Sequence, residues 1–188
     1  MARRIRRDVC SLLGGNNMAE QMATAINGAN KVLFARRLSD EKNMDGTRIS
    51  LQTTHSIEIS SDDNTTETKD GNITVAGNPE VELSLEFLGS NDPVVELLED
   101  ASMNHDVFEF WEVNFEKPET GGKYPAKYMQ AVVTKFSSDS DADDFNKVKV
   151  ELKVNGQPKK GSATVDKKTI GDLQYAFKDI PKATTPAE

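Results

Sequence analysis

Polar and apolar positions alternate most clearly over residues 80–88, where Val81, Leu83, Leu85 and Phe87 share one face and Glu80, Glu82, Ser84 and Glu86 the other. A period of two marks a half-buried strand. Residues 147–154 repeat the pattern, with Val148, Val150, Leu152 and Val154 inward. Over residues 107–115 both faces are apolar: Val107, Glu109, Trp111, Val113 and Phe115 on one, Phe108, Phe110 and Glu112 on the other. A second strand is predicted over 128–136, β-branched at Val132, Val133 and Thr134. The segment 116–125, with two prolines and Gly121-Gly122, is predicted to connect them. Residues 31–37 and 48–60 also read as strands, the latter with Ile57 and Ile59 on one face. The polar stretch 61–78, whose apolar positions centre on Ile73 and Val75, predicts a long hairpin or projecting loop.

One helix stands out. Asp92 is placed as N-cap and Pro93 as the first helical residue. Val94, Leu97, Leu98 and Ala101 then form a stripe at i, i+3, i+4 and i+7, which packs one face on a sheet and leaves Glu96, Glu99 and Asp100 in water. Asn155-Gly156 signals a hairpin turn, after which residues 162–165 are expected to pair back. Many short strands and one helix predict a mainly β fold, an antiparallel β-sandwich or barrel flanked by the helix, with a long projecting loop and terminal arms.

At 188 residues the chain is long enough for one sizeable core without disulfides. A formal charge of −8 and a pI near 4.9 oppose a surface that grips nucleic acid, and no apolar run approaches a bilayer span. Hydrophobic residues make up 36 %, so part of the chain is expected outside the core. Three segments are expected: a leader (1–17) that is disordered or an over-extended reading frame with the start at Met18, a β-domain (18–166) and a C-terminal arm (167–188). Cys10, alone in the leader, reads as inert.

Candidate chemistry is sparse. Asp139, Asp141 and Asp143 have the spacing of a calcium loop, but Asp144 stands where glycine is needed and Val150 where a bidentate glutamate is needed, so a solvated turn is favoured. His55 and His105 have no second ligand at metal spacing, and no catalytic residues, cofactor or metal are assigned. Carbohydrate binding requires exposed flat rings. Trp111 lies in a strongly apolar strand, so core or interface is the favoured role; Tyr124 and Tyr128 are either exposed or pack the loop.

The order of FWEVNF, GGKYPAKY, AVVTKFSSDSDADDF and VKVELKVNGQPKKGSAT, preceded by ISLQTTHSIEIS, TKDG and EVELSLEFLG, resembles the major tail proteins of long-tailed, non-contractile phages of Gram-positive bacteria. The likeness spans roughly residues 19–164. It implies a virion structural protein, no enzyme, whose sheets join into rings, typically hexamers, that stack as a tube for genome ejection. The implied partners are other copies of the chain, the tape measure and other tail proteins, with DNA passing unbound and no membrane. Candidate acidic lumen residues are Glu80, Glu82 and Glu86, with an outer or inter-subunit position the alternative. Candidate inter-ring residues are Asp63, Thr66, Lys69 and Asp70; candidate core or interface aromatics are Phe110, Trp111, Tyr124 and Tyr128. The alternative functions are a monomeric carbohydrate-binding or adhesin module and a single-ring tail completion or connector protein.

Overall fold

The computed structural model describes residues 25–166 and Thr169. The leader with Cys10, residues 18–24 and the C-terminal arm apart from Thr169 lie outside the described residues. Among the described residues the strands are β1 (Lys31–Arg37), β2 (Thr47–Arg48), β3 (Gln52–Thr68), β4 (Gly71–Leu88), β5 (Val107–Asn114), β6 (Lys123–Asp139), β7 (Lys147–Val154) and β8 (Lys159–Thr164), and the α-helix is α1 (Pro93–Asn104). All pairings are antiparallel, in the order β2-β1-β5-β6-β7-β4-β3, with β8 against β6.

Strand alternation builds the core. Val81, Leu83, Leu85 and Phe87 from β4 and Val148, Val150, Leu152 and Val154 from β7 all turn inward, as their period of two requires. Phe108 and Phe110 of β5 join them, while Val113 and Phe115 pack in a second cluster on the opposite face with Val32 and Phe34. Helix α1 places Val94, Leu98 and Ala101 in the main core, with Leu97 packed at its margin. Asp92 caps the helix by accepting from Val94 N–H at 3.1 Å, and His105 ends it in the left-handed region.

The sheet curls until β3 stands across from β1, but no ladder joins them. A side chain bridges the seam instead. Gln52 Oε1 accepts from Leu33 N–H at 3.0 Å, and Gln52 Nε2 donates to Leu33 O at 2.7 Å and Ile49 O at 2.8 Å. Residues 49–51 stitch the same corner. Ile49 N–H donates to Leu33 O, Ser50 N–H to Asp92 Oδ2, and Leu51 O accepts from Leu88 N–H. Leu51 turns this corner at φ 53°, an uncommon conformation for a bulky residue. The predicted strand 48–60 is therefore broken at residues 49–51.

Residues 61–78 form a paired hairpin, the distal part of β3 and β4, exposed along its length. A bulge between Ser61 and Asp63 shifts its register; there a Cβ on Gly77 would collide with the Asp62 carbonyl oxygen.

Two connections differ from expectation. β6 begins at Lys123 and contains Pro125, inside the segment expected to be a loop. At Pro125 the strand is paired to β8 alone, since pairing to β5 starts at Ala126, so the missing N–H is tolerated at a local edge. β8 does not fold back on β7. β7 pairs with Ala131–Asp139 of β6, and β8 pairs with Lys123–Tyr128 further along the same edge. β6 has 17 residues against 8 in β7, leaving edge that β8 continues after the Asn155-Gly156 turn.

Replacing Gln52 with Ala would leave the Leu33 N–H without its partner, while Leu33 O keeps Ile49 N–H, at a cost of about 1–3 kcal/mol. Urea denaturation monitored at Trp111 should show this loss, and a change below about 0.5 kcal/mol would contradict the bridging role.

Candidate functional site

Three surfaces carry the sequence-predicted residues. The first is the polar face of β3, β4 and β7. Glu80, Glu82 and Glu86 project from it, all exposed except the half-buried Glu86. Lysines of the neighbouring strand interleave with them: Lys153 Nζ donates to Glu80 Oε2 at 2.8 Å, and Lys149 Nζ lies 3.0 Å from Glu86 Oε1. Glu82 stands opposite Glu58 on β3 and Lys153 on β7. The face is thus mixed in sign. Exposed pairs of this kind contribute little stability, so their arrangement bears on what the face meets.

The second surface is the hairpin. Asp63 and Thr66 lie on its arm and Lys69 and Asp70 at its turn, all exposed. Ile59, Ile73 and Val75 are exposed there too, at 63 %, 58 % and 64 %. The alternation that buries Ile57 and Val81 against the body thus continues into solvent with nothing beneath it among the described residues.

The third is the aromatic face of β5 and β6. Phe110 is fully buried in the main core and is not on this surface. Trp111 and Tyr128 are half-buried with ring centroids 5.5 Å apart, and Tyr124 packs 4.8 Å from Phe115. Arg36 lies 5.2 Å over Trp111, and the ring also abuts Gly46. The tyrosines therefore pack the sheet and its connection, and no open platform of rings is formed by these residues.

Two buried carboxylates were not singled out in the sequence, although charges at alternate positions of an otherwise apolar strand were a usable signal. Glu109 takes Arg36 Nε and a guanidinium amine on one oxygen, at 2.8 and 2.6 Å, and Tyr128 Oη on the other at 2.6 Å. Burial, followed by the Glu109 contact, raises the Tyr128 phenol above its usual range. Glu112, on the inner face, meets His55 Nε2 at 3.4 Å, Lys31 Nζ at 3.4 Å and Lys127 Nζ at 2.9 Å. His55, then the two lysines, hold its pKa down at about 2 against the opposing effect of burial.

Glu112, His55, Lys31 and Lys127 line an open cleft of about 600 Å³ between β3 and the ends of β1, β5 and β6, shared with Arg48 and Gln52. It runs into a smaller apolar groove of about 340 Å³, walled by Ile57, Ile59, Pro79, Val81 and Pro158. Among the described residues no group of three or more His, Cys, Asp or Glu side chains is gathered to hold a metal, and no helix is long and apolar enough to cross a membrane. The aspartates at 139–144 sit at a turn where Asp144 pairs with Lys147 at 2.6 Å, which holds its carboxyl low.

A carboxyl with a lowered folded pKa gives its full stabilisation above the unfolded value near 4.5 and loses it as pH falls toward 2. Glu112→Gln should therefore destabilise by roughly 2–3 kcal/mol at pH 7, with the difference from the parent shrinking between pH 4.5 and 2. Denaturation across pH checks this; a pH-independent difference would contradict it.

Residues 25–160 match the family model described as phage tail tube protein. A protein described as a tail protein from Staphylococcus phage phiMR25 is 28 % identical over 171 residues, covering 86 % of each chain. Among solved structures, the SPP1 tail tube subunit shares the fold at a TM-score of 0.67 and 18 % identity, over 87 % of this chain and 96 % of that one. The tail of an empty gene transfer agent particle, refined with C6 symmetry, matches at 0.57 and 13 %, over 72 % and 98 %. With its β-rich fold and a family match across most of its length, this chain belongs to the phage tail tube proteins and is a structural component of the virion tail.

Proposed function

We propose that the chain assembles into rings that stack as the tail tube, a passive conduit for genome ejection. The observation that carries this reading is the amount of unpaired strand edge. The outer edge of the 17-residue β3 has no ladder partner among the described residues. β4 pairs with β7 only from Glu82 onward, so its first 11 residues, about 35 Å of strand, offer a second open edge. In a monomer such edges invite aggregation; between copies they supply backbone hydrogen bonds. A heterologous interface of this kind closes into a ring when its rotation closes, and stacked rings propagate as a filament. Six copies per ring is the number we favour, supported by the C6 symmetry of the gene transfer agent tail.

The lumen is assigned to the polar face carrying Glu80, Glu82 and Glu86, with Glu58 and Glu151 beside them. Lys135, Lys149 and Lys153, paired with Glu151, Glu86 and Glu80, offset part of this charge, leaving a hydrated face with a small surplus of carboxylates, which would not retain phosphate. The hairpin residues Asp63, Thr66, Lys69 and Asp70, together with the arms outside residues 25–166, are assigned to bridging between rings. The β-domain of 18–166 is the assembling unit, with the tape measure and other tail proteins as its partners. The reading assigns the chain no reaction and no cofactor. Packing of Trp111 by Tyr128, Arg36 and Gly46 gives no support to a carbohydrate platform.

Negative-stain electron microscopy of the purified protein, with light scattering across a concentration series, should reveal rings or tubes with a central channel. Strict monomers at every concentration would contradict the reading. Replacing residues 62–78 with a short turn removes the distal edges of β3 and β4 and should shorten tubes and lower their yield; unchanged tube length would remove the hairpin from the inter-ring contact.

A further inference from the structure

The two ends of the β-domain are finished differently. At one end α1 covers the core with Val94, Leu98 and Ala101. Beside the helix start, the β6–β7 connection is held against Gly89, whose N–H donates to Asn146 O at 2.8 Å. That connection is strongly acidic. Asp139, Asp141, Asp143 and Asp144 fall within six residues, and Phe145 stands among them with 75 % of its surface exposed. At the other end no helix of the described residues covers the interior. The charged cleft and the apolar groove open there side by side, sharing Ile57 and Lys127. Four cations line this mouth, Lys31, Arg48, Lys127 and Lys160, against the single carboxylate of Glu112. The Arg48 Nε is buried without a hydrogen-bond partner among the described residues.

We infer that copies of this chain join head to tail, the acidic β6–β7 connection of one copy seating in the open mouth of the next with Phe145 in the groove of Ile57, Ile59, Pro79 and Pro158. This rests on the tube reading and gives it a ring-to-ring contact. Charge complementarity selects the occupant. In a chain of net charge −8, the mouth holds more cations than carboxylates, and the acidic connection lies beside Leu88, at the other end of β4 from the Pro79 side of the groove. A rigid strand spans the two poles: β4 runs from the hairpin beside the mouth to Leu88 beside the acidic turn. The contact is heterologous and leaves the same two surfaces free at each end of a pair, so it extends without limit along one axis. Phe145 contributes an apolar anchor and the aspartates orient it, in the manner of an aromatic hot spot with a charged rim. The hairpin projects from the same pole as the mouth and would flank the seated connection.

Two sets of variants test the contact. Phe145→Ser, and Asp141→Lys with Asp143→Lys, alter only exposed side chains of the connection. Each should raise the concentration needed for tubes at least about tenfold while leaving the denaturation curve unchanged. Lys160→Glu, on an exposed side chain, should do the same from the mouth side, and combining it with the Asp141 and Asp143 reversals should restore tubes. In a Cys10→Ser background, Phe145→Cys protein mixed in equal amount with Pro158→Cys protein should oxidise to a disulfide-linked heterodimer well in excess of the share that random pairing of the two gives. Tubes that form normally in every variant, or a heterodimer share no greater than random pairing gives, would overturn the contact. Absence of rings and tubes from the parent protein would instead count against the tube reading, and the heterodimer yield still decides the contact.

Discussion

An eight-stranded sheet that curls on itself but does not close sets the terms for everything else in this molecule. Closure by a ladder would remove both edges and leave a self-contained barrel. Instead one glutamine stands in for a strand. Gln52 satisfies both backbone groups of Leu33, which lets the core seal at that level while β3 diverges from β1 above it. The divergence opens the cleft around Glu112 and frees β3 to run on into the hairpin. The corner at residues 49–51 ties the seam to β4 and to the helix cap through Asp92. Stability is thus concentrated at the helix-covered end, and the opposite end is left available.

The buried charges fit this division. Glu109 and Arg36, locked by Tyr128, brace β1 against β5 and anchor the connection after β1, where the Arg36 guanidinium also donates to the carbonyls of Glu41 and Met44. Glu112 occupies the inner face at the open mouth, where an apolar residue would have less to meet than three cationic or imidazole partners. Both are well-partnered buried carboxylates, so removing either carboxylate strands its neighbours. They serve position more than net stability. Where a soluble monomer would place apolar cover, this domain keeps charged and half-wet surfaces, as the proposed assembly requires.

Much of this was legible in the alternation of residues. The strict patterns of β4 and β7, the two-faced apolar run of β5 and the Asp92-Pro93 helix start each report local physics, and each matches the structure. So does the projecting hairpin, whose polar, Thr-rich composition cannot bury a face. Three features depend on non-local partners and were not legible. The length of β6 is set by what pairs with it, which is why Pro125 falls inside a strand and β8 continues the edge that β7 leaves. The partners of Glu80 and Glu86 are lysines of β7, more than 60 positions away in sequence. The Gln52 bridge replaces a ladder that sequence periodicity has no way to mark as missing. Glu109 and Glu112 were visible as anomalies in an apolar strand, although their partners Arg36, His55 and Lys127 come from three other strands.

The central claim is that the open strand edges are the joints of the assembly. Hydrogen–deuterium exchange, compared between dilute protein and assembled tubes, tests it most directly. The outward amides of β3 and those of β4 before Glu82 should exchange quickly in the free subunit and become strongly protected in the tube, while β5 and β7 change little. Equal exchange of those edges in both states, with tubes present, would contradict the account.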